Sequence, residues 1–144
     1  MHGHDVLTRG SVAGLIAGIW LGLFFKAMEV IFGIKVYTLL LNIDYIPILK
    51  ELTFPEIVEF SLHLVISIAL AIVLLYVIAR YKWGKRQIIF RTIVICLVIG
   101  AFLYPTTALS ERTPPITSIS AILFWLLGHI LYALVLGVFY CKHK

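Results

Sequence analysis

Ionisable side chains inside long apolar stretches are costly, so the ones this chain carries are where chemistry is first sought. Lys26 and Glu29 stand three residues apart near the end of one stretch, on neighbouring faces where they can pair. Glu56, Glu59 and His63 follow at spacings of three and four, which aligns them along one stripe of a helix. His129 has Trp125 one turn before it and Tyr132 one turn after, and Tyr104 opens a Tyr-Pro-Thr-Thr run. These types allow several chemistries. Imidazole and carboxylate suit zinc or iron, which would use Glu59, His63 and His129. Two intramembrane histidines would also bracket one haem. A titrating Glu59 or His63, with Lys26 changing partners, would serve proton-coupled or cation-coupled transport. The structural alternative is that these groups satisfy one another and fix helix register.

Catalytic templates are missing. There is no HExxH, no GxSxG elbow and no Gly-rich phosphate loop ending in Lys-Ser or Lys-Thr. Ser61 and Ser67 flank His63 without an acid at a useful spacing, and are expected to bond back to their own helix carbonyls. Cys96 lies inside an apolar run and Cys141 beyond another, so neither a disulfide nor a CxxC metal pattern is expected. His2, His4 and His143 are too scattered for a metal site. The residues lean away from an enzyme and name no cofactor.

The elements that position these groups follow from composition. Hydrophobic residues are 62% of 144 and charged residues 13%, and the mean hydropathy is +1.06. That is too much apolar surface for a water-facing exterior, so the lipid bilayer is part of the solvent and the first partner. Four runs, 11–32, 57–79, 88–108 and 118–140, are each long enough to cross a hydrocarbon core, which takes roughly 20 helical residues. Backbone groups in lipid must pair within their segment, which makes the chain all-α: an integral membrane four-helix bundle in a single domain, 1–144. The first run is too long for a cleaved signal peptide.

Charge sets the expected orientation. Arg9, Arg80, Lys82, Lys85, Arg86, Arg91, Lys142 and Lys144 flank one side, against Lys35, Lys50 and Arg112 on the other. Both termini are therefore expected to be cytoplasmic, in a multi-pass protein of the cell membrane. Of the acidic residues only Asp5 falls on the cytoplasmic side. The net charge of +5 does not indicate nucleic acid, because the cations cap apolar runs. Arg80 to Arg86, with Tyr81 and Trp83 between them, would attract anionic lipid headgroups at about 1 kcal/mol per near-surface charge. Tyr37 and Tyr45 fit an aromatic belt on the other side.

On this frame, with a rise of about 1.5 Å per residue, His63 lies roughly 10 Å and His129 roughly 16 Å inside the outer boundary. Lys26, Glu29, Glu59, His63, Tyr104, His129 and Tyr132 then mark an outward-opening polar pocket in the outer half of the bundle. Pro105 should kink the third span, with Thr106 and Thr107 repairing lost backbone bonds. The connection from Ile34 to Glu56 is apolar enough to lie on the interface, with a short helix starting at Pro47 and with Tyr45 and Leu49 toward lipid. Thr53 and Glu56 read as a capping box for the second span.

Gly10, Gly14, Gly18 and Gly22 recur every fourth residue in the first span. In lipid such a row serves close helix approach, and Ala133 with Gly137 makes a second small pair in the fourth span. The first and fourth spans are expected to meet there, with a homo-oligomer contact as the alternative use of the face.

The run Gly-His-Ile-Leu-Tyr-Ala-Leu-Val-Leu-Gly, Gly128 to Gly137, resembles the His-x-x-Tyr-Gly pattern near the last span of small four-span bacterial membrane proteins of the YagU type. The glycine-rich first span is similar too, while Ala133 stands where the pattern prefers Gly. The resemblance implies an uncharacterised bacterial membrane protein and carries no site residue. The expected function is binding, transport-associated or a scaffold or subunit role. The alternative is a metal-binding or haem-binding redox protein or membrane enzyme using His63 and His129.

Overall fold

The computed structural model describes residues 3–43, 46, 48 and 54–142. Among them the chain is all-helical: α1 (Gly3–Phe32), α2 (Val36–Leu41), α3 (Glu56–Tyr81), α4 (Lys85–Leu103), a 3-10 segment (Tyr104–Leu109) and α5 (Ile119–Lys142). Four stretches are long and apolar enough to cross a membrane, His4–Phe32, Glu56–Tyr81, Lys85–Leu109 and Ile119–Lys142. The first begins about two turns earlier than the apolar run, because nothing in residues 3–10 breaks a helix. The helix proposed from Pro47 and the Thr53 half of the capping box lie outside the described residues.

Local chemistry sets the helix ends. Gly33 takes φ 68°, a left-handed conformation open to glycine, and its N–H donates to Glu29 O at 2.9 Å, which closes α1. Lys82 closes α3 in the left-handed region at φ 51°. Gly84 then opens α4, its N–H donating to Gln87 Oε1 at 3.0 Å. Trp83 is buried beneath Arg91, whose guanidinium stands 4.7 Å from the ring, so only Tyr81 of this pair is exposed as a belt residue would be. Pro105 acts differently from a simple kink. The α-helix stops at Leu103 and tightens into the 3-10 segment, where Thr106 donates to Leu103 O at 2.7 Å as expected. Thr107 instead joins Thr113 Oγ1 at 2.8 Å and Pro114 O, tying the next connection down.

The helices pack as a row, α3 against α1, α1 against α5, and α5 against α4. The seam that would close a ring is missing. α3 and α4 are joined by the three residues 82–84, yet make at most marginal contact along their lengths.

The glycine row is seated against α3, not α5. A Cβ on Gly10 would stand 2.8 Å from Ile72 Cα, one on Gly14 2.6 Å from Ile68 Cα, one on Gly18 2.8 Å from Ser67 Oγ, and one on Gly22 would enter the Phe60 ring. α5 meets a second stripe of α1, Ala13, Ala17, Leu21 and Phe25, all buried. Gly128 accommodates Phe25 and Leu21 there. The expected contact between first and fourth spans exists, but large side chains entering α5 glycine make it. Ala133 is fully buried, and Gly137 lies against Ile89 of α4, so its closest contact is outside α1.

The connection after α1 turns inward. Val36, Tyr37, Leu39 and Leu41 of α2 are buried against the bundle, followed by Asn42 and Ile43. Glu29 accepts hydrogen bonds from the Thr38 N–H and hydroxyl at 2.9 and 2.8 Å, which fastens α2 to the end of α1.

Candidate ligand site

The bare face of α1 exposes its carbonyl oxygens, each with a second lone pair, to the polar side chains of α3. Ser67 Oγ donates to Gly14 O at 2.7 Å, and His63 Nε2 meets Gly18 O at 3.3 Å. Four-residue spacing on both helices produces this pairing. Ser67 thus bonds across the interface, correcting the expectation that it folds back on its own helix; Ser61 does fold back, to Ile57 O at 2.7 Å.

α5 supplies the opposite wall. Phe25 stacks on Trp125 with ring centres 5.2 Å apart, and Trp125 lies 4.7 Å from the His129 ring. Gly100 of α4 makes room for that ring: a Cβ there would stand 2.8 Å from His129 Cγ. Trp125 Nε1 donates to Gly100 O at 2.8 Å, and His129 Nδ1 to Trp125 O at 2.8 Å. Tyr132 reaches Ser67 O at 3.2 Å and Ser67 Oγ at 3.0 Å, and Tyr140 donates to Ala71 O at 2.6 Å.

Where α3 and α4 diverge lies a cavity of about 150 Å³. Leu62, Ile66 and Leu70 of α3 and Ile99 and Leu103 of α4 form its apolar walls. His63, Ser67, His129 and Tyr132 give it a polar lining, and Leu39 to Ile43 cover the α2 end. Leu62, Ile66 and Leu103 are also exposed at the surface of the chain, so the space communicates with the surroundings through the α3–α4 gap.

Of the seven pocket residues expected from sequence, Glu59, His63, His129 and Tyr132 line this cavity. The other three are elsewhere. Lys26 does not pair with Glu29: it reaches Glu56 at 3.0 Å and lies over the Tyr37 ring at 4.4 Å, because the turn into α2 gives Glu29 to Thr38. Tyr37 donates to the same Glu56 carboxylate at 2.9 Å. Burial first, and then that carboxylate, push the Tyr37 hydroxyl above the ordinary tyrosine range. Tyr104 points at the third connection, its hydroxyl donating to Pro115 O at 3.3 Å or Ser118 O at 3.4 Å.

Glu59 is held by Arg112, which in the sequence stands out only as a flanking charge. Arg112 Nη1 and Nη2 meet Glu59 Oε1 and Oε2 at 3.0 and 3.2 Å, a two-point grip on a carboxylate only 5% exposed. The signal that would have found it is the chain's one basic residue in Ser-Glu-Arg-Thr-Pro-Pro, but its reach to residue 59 depends on the fold. With its carboxylate so engaged, Glu59 does not converge with the histidines. Among the described residues no three His, Cys, Asp or Glu side chains gather as a metal site. His63 Nε2 is engaged by Gly18 O at 3.3 Å, which leaves Nδ1 as its other ring nitrogen. Cys96 and Cys141 are both free thiols.

No family model, curated protein or solved structure matches this chain.

Proposed function

We propose that the protein binds a membrane-soluble amphiphile, with the polar end among His63, Ser67, His129 and Tyr132 and the apolar remainder passing between α3 and α4 into lipid. The observation that carries this reading is the cavity itself: polar at depth, apolar along its walls, and bordered by two helices that do not seal against each other. Ligand sites are commonly concave and apolar with a few placed polar groups, and this one is reached from the bilayer. No observation favours the metal or haem reading over it.

Lysine and arginine flanks support placing both termini in the cytoplasm, so that the α2 end faces outward. Exposed Tyr81, Lys85 and Arg86 are well placed to contact anionic headgroups on the opposite side. The likeness to YagU-type proteins is retained as a proposal on the residues of the first and last spans alone.

The test is native mass spectrometry of the full chain released from gently solubilised membranes, comparing wild type with Leu103→Trp, which fills the gap. A bound amphiphile in wild type that is lost in the variant is the expected result. A chain that carries no amphiphile, or retains one equally when the gap is filled, overturns the reading.

A further inference from the structure

Hydrogen positions in the cavity are fixed by what the side chains touch. A backbone carbonyl oxygen only accepts, so any nitrogen or hydroxyl bonded to one must be the donor. His129 contacts Trp125 O through Nδ1 and His63 contacts Gly18 O through Nε2, so the hydrogen sits on those atoms. In a neutral imidazole the other nitrogen is then a bare lone pair. These are His129 Nε2 and His63 Nδ1, and neither has a partner among the described residues.

The hydroxyls tell the same story. The Ser67 hydrogen goes to Gly14 O, which makes Tyr132 the donor in its contacts with Ser67. The Trp125 and Thr106 hydrogens are spent on Gly100 O and Leu103 O. His63, Ser67, His129, Tyr132 and Thr106 therefore offer the cavity lone pairs with their hydrogens already spent, while Trp125, a donor only, offers it neither. Cys96 adds only a weak donor, and Asn42 an amide with both characters.

We infer that the polar end of the ligand is a hydrogen-bond donor carried on a single ring: a phenolic or hydroquinone-type head on an apolar tail, received by His63 Nδ1 and His129 Nε2. The inference rests on the proposed amphiphile site and specifies its chemistry. Size supports one ring, since an apolar cavity of about 150 Å³ accepts benzene and this cavity is about 150 Å³. The gap between α3 and α4 gives the tail a route to lipid. A quinone has the same skeleton but presents only acceptors, which would face the imidazole lone pairs unpaired.

The experiment measures binding of three probes, decyl-1,4-hydroquinone, decyl-1,4-benzoquinone and decylbenzene, to the wild-type full chain in lipid nanodiscs without oxygen. The hydroquinone is expected to bind at least about tenfold more tightly than the benzoquinone, the scale of about one to two net hydrogen bonds. His63→Ala and His129→Ala should each shrink that ratio, and Leu103→Trp should abolish binding of all three. Equal binding of the three probes, or preference for the benzoquinone, overturns the donor assignment while leaving an amphiphile site. Failure of all three to bind, or binding indifferent to Leu103→Trp, overturns the site as well. The decisive ratio is read on the wild-type chain, so it does not depend on any variant folding.

Discussion

Gly128 is where one missing methyl group decides a contact: the Phe25 ring occupies the space its Cβ would need. Gly128→Ala must displace a ring stacked on Trp125, and overpacking of this kind costs about 1–3 kcal/mol. Gly84 is a useful contrast, because a Cβ there meets nothing closer than Gln87 Oε1 at 4.0 Å. Gly84→Ala is expected to lose less than about 1 kcal/mol, the scale of an N-cap change. Unfolding of both variants in mixed micelles checks the difference, and equal losses would show that the Phe25 seat is unimportant. At this scale the sequence is legible where a residue is chemically out of place. His63 and His129 stand out because imidazoles are rare in apolar spans, and both reach the cavity. Gly100 does not stand out, since its role as the seat of His129 comes from α5, and nothing in its own neighbours announces it.

The connections between elements carry more than their lengths suggest. Arg112 sits in a short loop, yet it balances Glu59 on α3. Arg112→Ala would strand a nearly buried carboxylate at the α2 end, with an expected loss of about 1–3 kcal/mol, held below the full buried-pair value because Arg112 is half-exposed. Adding Glu59→Leu should recover most of that loss. Unfolding of the single and double variants checks the prediction, and additive losses would refute it. The four spans were legible because each needs only length, hydropathy and paired backbone groups. Their neighbours were harder to read. A glycine row specifies close approach without naming the partner, and here the partner is the next span in sequence, because Ser67 and His63 have the spacing that matches Gly14 and Gly18. α2 is not legible as a helix in the sequence, since its six residues leave too little periodicity to detect.

For the whole molecule, the charge asymmetry predicts that cysteines placed at either terminus are shielded from impermeant thiol reagents in intact cells, whereas Thr117→Cys, in the third connection, reacts. The opposite labelling pattern would invert the proposed site relative to the membrane. The open row of helices also has a meaning for biosynthesis. α1 with α3, and α4 with α5, are two antiparallel hairpins, each packed within itself, and they meet chiefly where α1 touches α5. The first hairpin can therefore settle in the bilayer before the second has left the ribosome, and docking needs no threading of one pair through the other. Fragments 1–83 and 84–144, co-expressed as separate chains, are expected to assemble and co-purify. Failure to reassociate would mean that the covalent turn at 82–84 does work in assembly that its sparse contacts conceal.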